Sequence, residues 1–349
     1  MGIYLNWLLI FGPIALVLHF VAANDTYVFV AAGLSIIPLA GLMGQSTENL
    51  SQKTGPGIGS LINATFGNAT ELIISIMALK QGYIEIVRAS MSGAIIGNIL
   101  LVMGSAIIVG GIRNKEVIFN PQAVGMGTAL LSLASISLIM PTLFKMTTPN
   151  VTEQQLDSLS LAVCIVMIIC YIGYLFFCLK THRHLFRSEE TEEEGEHVWS
   201  IKKSIIMLIA VTVGLAVMAE LLVDSIEHVA KSWGLSNTFM GVFLLAVMGN
   251  AAEFGSVLMA AMKNKMELAI QLAIGSSAQI ALLVIPVLVF LSFIWIPMDL
   301  IFNPFEVVGI VVAVAVSQIL LLDGKSHWME GLLLIGTYII LGISFYFHP

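Results

Sequence analysis

Apolar residues run through this chain in blocks of about twenty, the length a helix needs to cross a bilayer core. Glycine, proline and small clusters of charge separate the blocks. Eleven can be drawn, at approximately 4–22, 26–45, 58–80, 89–110, 120–141, 158–180, 203–223, 238–262, 267–292, 303–322 and 327–346. No basic stretch precedes the block from Tyr4 to Val21, so it is expected to be a spanning helix and not a cleavable leader. Two blocks break the pattern from inside. "GNATELI" at Gly67 to Ile73 and "GNAAEFG" at Gly249 to Gly255 each put an amide and a carboxylate three residues apart within apolar surroundings.

Composition sets the class. Of the 349 residues 58% are hydrophobic and 11% charged, with a mean hydropathy of +0.96; soluble domains run nearer 45–50% apolar and about 25% charged. The chain reads as an integral membrane protein. Its net charge of −7 says little, because many acids fall in "SEETEEEGEH" at Ser188 to His197. That stretch reads as a solvated linker; the sharper alternative is a regulatory cation sensor formed with His182, His184 and His197. Cys164, Cys170 and Cys178 lack metal spacing and read as packing residues. If the linker is cytoplasmic, eleven of the fifteen Lys and Arg fall on that side. The positive-inside rule then puts the N-terminus in the cytoplasm and the C-terminus outside.

The chain also repeats itself across the linker. "FNPQAVGMG" (Phe119 to Gly127) answers "FNPFEVVGI" (Phe302 to Ile310), and "AIIGNI" (Ala94 to Ile99) answers "LAIGSS" (Leu272 to Ser277). Ser46 and Glu48 match Ser225 and Glu227, and the two Asn-x-x-Glu motifs match each other. The predicted fold is therefore an all-α integral membrane protein with 11 transmembrane helices. Helices 2–6 and 7–11 form two five-helix repeats, with an extra N-terminal helix outside the duplication. The corresponding divisions are 1–23 for the extra helix, 24–180 for the first repeat, 181–202 for the acidic cytoplasmic linker and 203–349 for the second repeat. An odd number of helices per repeat makes the second copy enter from the opposite face. Inverted repeats of this kind belong to secondary transporters, with the site near the midplane.

At that depth a charged carboxylate costs about 2.5–3.5 kcal/mol. Protonating an ordinary glutamate at pH 7 costs about 3.7 kcal/mol. The penalties are comparable, so a proton or a cation can neutralise Glu71 and Glu253, and each occupant expels the other. Asn68 and Asn250, on the same helix faces as the glutamates, offer neutral oxygens of the type hard cations take; their bland reading is interhelical glue. Asn98, Ser277 and Gln279 are expected to support the glutamates or complete the shell. Glu48, Glu220, Asp224 and Glu227 are candidate entrance acids, or ordinary interfacial acids. Gly93-x-x-x-Gly97 is a helix-packing pattern.

These residues resemble the CAX family of calcium/proton exchangers in the wider calcium/cation antiporter superfamily. "GNATELI" and "GNAAE", one per five-helix half, carry the resemblance, together with the acidic loop between the halves and the extra first helix. It covers nearly the whole chain and implies that Glu71 and Glu253 are the alternating Ca²⁺/H⁺ carboxylates, with Asn68 and Asn250 beside them. Where the family's second motif often carries histidine, this chain has Phe254. The short N-terminus resembles prokaryotic members, which implies a bacterial plasma (inner) membrane. The expected function is calcium export in exchange for protons by alternating access, with helices two and seven sliding. No enzymatic activity, cofactor or nucleic-acid partner is expected; the partners are Ca²⁺, protons and the bilayer, with a homo-oligomer as an option. The runners-up are a sodium-coupled calcium exchanger of the same superfamily and, further off, a gated cation channel.

Overall fold

The computed structural model describes residues 6–22, 24–182 and 199–348, without the side chains of 55–58, 60, 61 and 64. The acidic stretch and the sensor reading attached to it lie outside the described residues. The architecture is helical throughout, apart from one two-residue ladder in which β1 (Val117–Ile118) pairs antiparallel with β2 (Lys325–Ser326).

After a 3-10 turn at Asn6–Ile10, α1 covers Phe11–Phe20, α2 Asp25–Phe66, α3 Ala69–Lys80, α4 Ile84–Arg113, α5 Pro121–Thr147 and α6 Glu153–Thr181. The second half holds α7 (Ile201–Trp233), α8 (Asn237–Gly249), α9 (Ala251–Met262), α10 (Met266–Ser292), α11 (Pro304–Leu321) and α12 (Trp328–Phe347). Among the described residues eight helices are long and apolar enough to span, or up to nine when α8 and α9, bent by 56°, count as one. The expected count of eleven needs two shorter elements as well. Asn6–Phe20 rises only about 22 Å at 1.5 Å per residue, and α3 stands apart from the block it was expected to share with residues 58–66.

Several blocks outrun their expected ends. Helix α7 continues ten residues past 223 because Asp224, Glu227 and Lys231, loop-like in sequence, pair with neighbours and with each other. In α2 the helix runs on through Glu48, and the backbone at Gly59 packs against the Ser51 carbonyl. Residues eight apart in a straight helix are about 12 Å apart, so the run is bent between Ser51 and Gly59.

The two Phe-Asn-Pro segments adopt matching local structure. Asn120 and Asn303 both cap a helix whose first residue is proline, accepting backbone N–H groups from Gln122 and Ala123 in one half and from Phe305 in the other. π-Helical stretches interrupt α4 at Gly97–Val102, α8 at Met240–Leu245 and α10 at Ile280–Val284. Two large apolar clusters run through the molecule. One is built mainly on α1, α2 and α7; the other mainly on α4, α5, α6, α9, α10 and α11, with Val223 of α7 in it. Helix α3 straddles them, with Ala69 and Ile74 in the first and Ala78 and Leu79 in the second.

Candidate functional site

Both Asn-x-x-Glu motifs sit where a helix is interrupted. Asn68, at φ −109° and ψ 32°, separates α2 from α3; Asn250, at φ −78° and ψ 3°, separates α8 from α9. Each break leaves closing carbonyls of one helix and opening N–H groups of the next outside the i→i+4 ladder. Such irregular backbone is tolerated at membrane depth only where it is buried in protein or lines a cavity.

The contacts that follow run between the halves. Glu71 is buried, and its carboxyl lies against the backbone of Gly249, where a Cβ would sit 3.4 Å from both Cγ and Oε1. Asn250 Nδ2 donates to the Ala94 carbonyl at 3.3 Å, beside Gly97. Asn98, at the start of the π-helical stretch of α4, donates through Nδ2 to Glu253 Oε2 at 3.1 Å and to Ser276 Oγ at 3.0 Å. Ser276 Oγ lies 2.7 Å from Glu253 Oε1 and 2.8 Å from Asn68 Oδ1. Glu71 thus lies against the backbone four residues before Glu253. Gly93 makes this closeness possible, since its backbone abuts that of Val242 and leaves no room for a Cβ between α4 and α8.

The Ser276 hydroxyl has one proton and two acceptors within reach, Glu253 Oε1 and Asn68 Oδ1. A protonated Glu253 donating to Ser276 Oγ frees the serine proton for Asn68, and every contact becomes a donor–acceptor pair; 2.7 Å is the usual O–H···O distance. Three buried amide atoms have no partner among the described residues: Asn98 Oδ1, Asn250 Oδ1 and Asn68 Nδ2. Leaving such an atom unsatisfied costs about 1–3 kcal/mol, and two of the three are oxygens.

The sequence-derived candidates divide as follows. Glu71, Glu253, Asn68, Asn250 and Asn98 come together. Gln279 lies on the same side of α10, 3.6 Å from where a Cβ on Gly67 would be. Ser277 does not join them, because its hydroxyl turns back onto its own helix and donates to the Ala273 carbonyl at 2.9 Å. Its neighbour Ser276 takes the place, and the sequence held the signal: aligning "AIIGNI" with "LAIGSS" sets Ser276 opposite Asn98. Of the entrance acids, exposed Glu48 precedes Asn49, which accepts from Trp199 N beside the start of α7. Glu227 lies near the other end of α7, roughly 40 Å away at 1.5 Å per residue. Glu220, Asp224 and Glu227 meet Lys80, Gln81 and Tyr83. Among the described residues no group of three His, Cys, Asp or Glu is placed to hold a metal ion.

The surroundings are lopsided. From Glu71 toward Lys80 one face of the helix is sealed, with Ile74, Ser75, Ala78 and Leu79 buried, while Leu72, Ile73, Ile76 and Met77 on the others are partly exposed. In the other direction Asn63, Thr65, Gly67 and Ser256 are exposed, and Glu253 is only half-buried.

An all-helical membrane protein with two interrupted helices facing each other, and carboxylates and free amide oxygens at the breaks, has the build of a secondary transporter. The chain belongs to the sodium/calcium exchanger protein family, whose model matches it twice, over residues 24–180 and 203–347. It is 44% identical to a Ca²⁺/H⁺ antiporter of Aphanothece halophytica, in an alignment covering 98% of this chain and 96% of the relative. Its structure superposes on that of the selenium-substituted Ca²⁺/H⁺ antiporter YfkE with a TM-score of 0.84 at 36% identity, covering 98% of each chain. The sodium-calcium exchanger NCX_Mj shares the fold with a TM-score of 0.57 at 19% identity, covering 96% of this chain and 99% of the other.

Proposed function

We propose that this protein is a secondary transporter that exchanges Ca²⁺ for H⁺ by alternating access, exporting calcium from the cytoplasm across a bacterial inner membrane. The observation that carries the reading is the chain of contacts from Asn68 through Ser276 and Glu253 to Asn98. It accommodates a proton on Glu253 and keeps Asn98 Oδ1 and Asn250 Oδ1 free for a cation. A divalent ion approaching both carboxylates neutralises them and takes the place of protons; protons returning release the ion. The occupants exclude each other because they use the same oxygens, and an ion bound by two carboxylates and neutral oxygens remains exchangeable.

Two five-helix halves, at 24–180 and 203–349 and related by inverted topology, fit this reading, and the twofold match of the family model supports the division. The end carrying Arg113, Lys263 and Lys265, where Arg113 Nη1 donates to the Met262 carbonyl, is assigned to the cytoplasm. The sodium-coupled alternative is the weaker reading, since the sequence offers few further acidic groups for separate sodium sites.

The test is calcium uptake into proteoliposomes under an imposed pH difference with sodium absent. Wild type should load calcium and move protons the other way. Calcium flux that appears only when sodium is added favours the alternative and overturns this assignment.

A further inference from the structure

Away from the buried carboxylates, α7 and the turn between α3 and α4 are joined by a row of polar contacts. Glu220, Asp224 and Glu227 follow one another at i, i+4 and i+7, on one face of α7. Each meets the turn. Lys80 Nζ lies 3.7 Å from Glu220 Oε1, the Gln81 amide donates to Asp224 Oδ1, and the Tyr83 hydroxyl donates to Glu227 Oε2 at 3.3 Å. The second oxygen of Glu227 receives Lys231 Nζ at 2.7 Å. Gly82, at φ +83°, lets the chain reverse tightly enough to present Gln81 and Tyr83 to the same helix. Burial, with Glu227 beside it, holds the Tyr83 hydroxyl above its ordinary pKa, so it stays a donor.

Position gives the row its meaning. It ties α7, most of whose buried residues lie in the cluster shared with α1 and α2, to the end of α3, which carries Glu71 and is divided between both clusters. It lies at the end toward which Glu71 is sealed. Lys80 and Glu220 are about half exposed, at 54% and 52%, where single ion pairs hold weakly. A short row of such contacts can be made and undone within a transport cycle.

We propose that the Lys80–Gln81–Tyr83 turn and the Glu220–Asp224–Glu227 face of α7 form a latch that holds the site shut toward this end and parts when it opens there. The inference rests on the alternating-access reading above. It assigns these three acids to a reversible contact between moving parts, in place of a collecting funnel for cations.

The test uses the full chain with Cys164, Cys170 and Cys178 replaced by alanine. Gln81→Cys and Asp224→Cys are introduced together, and the purified protein is oxidised in proteoliposomes. Expected is a disulfide between the two, a fall of at least tenfold in calcium uptake, and recovery on reduction, with each single-cysteine variant indifferent to the oxidant. Uptake at the unlinked rate with the pair cross-linked overturns the latch, as does failure of the pair to be linked in folded protein by either oxidation or a short bis-methanethiosulfonate, which spans Cα separations beyond a disulfide's reach. Failure of the function reading looks different: the cysteine-free parent then shows no pH-driven uptake at all. A second measurement avoids cross-linking. Lys80→Glu sets like charge opposite Glu220, and should raise labelling of a Ser75→Cys reporter by a membrane-impermeant thiol reagent at least severalfold. Unchanged labelling counts against the proposal.

Discussion

The two motif helices say nearly the same thing in sequence but are treated differently by the fold. Glu71 is buried against the Gly249 backbone, in a helix sealed toward Lys80. Glu253 is half-buried and tied through both oxygens to Asn98 and Ser276. A duplicated chain with a strictly symmetric interior would present its two carboxylates identically to both sides. Alternation needs them to differ in any one conformation and to exchange roles in the next, so the asymmetry is what an alternating-access cycle requires of a single state.

The largest expected effect comes from removing charge at either motif. Glu71→Gln and Glu253→Gln keep volume and hydrogen bonding but cannot become negative, so each should reduce uptake to the level of empty vesicles while the protein stays folded. If one of them retains robust exchange, the two carboxylates are not partners and the comparison breaks there. A graded version uses pH. Because protons and calcium compete for the same oxygens, the calcium concentration for half-maximal uptake should rise as pH falls, by up to about tenfold per unit for each competing proton. A half-saturation indifferent to pH would mean the proton is carried elsewhere.

The next effect concerns how the halves are held together. In Gly93→Ala a methyl must displace the Val242 backbone, and overpacking of this kind costs about 1–3 kcal/mol. Gly125→Ala, in α5 with nothing within 4 Å of the added carbon, should be neutral or gain up to about 1 kcal/mol of helix propensity. Thermal unfolding of the two variants in the same detergent checks the contrast; equal melting points would mean that α4 and α8 yield more easily than their contact suggests.

Much of this was legible in the sequence because it is periodic or repeated. Block length located the apolar helices, although eight or nine of the described ones, not eleven, are long enough to span, and the matched Asn-x-x-Glu and small-residue segments pointed to five of the residues that meet. Less visible were features set by contacts distant in sequence. Nothing local announces that Asp224 and Glu227 continue a helix, because what keeps them there is Gln81 and Tyr83, 143 and 144 positions earlier. Likewise the bend between Ser51 and Glu48's far neighbour Gly59 hides inside an unbroken helical run. The choice between Ser276 and Ser277 turned on about 100° of helix rotation, and only the alignment with Asn98 carried that information.

That choice supplies the smallest and sharpest contrast. Ser276 takes a hydrogen bond from Asn98 and contacts Glu253 and Asn68, so Ser276→Ala removes the group through which the two halves share a proton. With Glu253 charged, the Ser276 hydroxyl donates to a carboxylate, a bond worth about 1.5–3 kcal/mol against about 0.5–1.5 kcal/mol for the neutral bond of the protonated state; at 1.4 kcal/mol per tenfold, half-saturation for calcium should rise roughly tenfold, with folding intact. Ser277→Ala loses only a bond to the carbonyl four residues back, an arrangement that does little for a helix, and should leave uptake at the wild-type level. Both substitutions delete one oxygen from adjacent positions of the same buried helix. A difference between them therefore reports the direction of the side chain alone, and equal losses would mean that α10 is rotated from the orientation described.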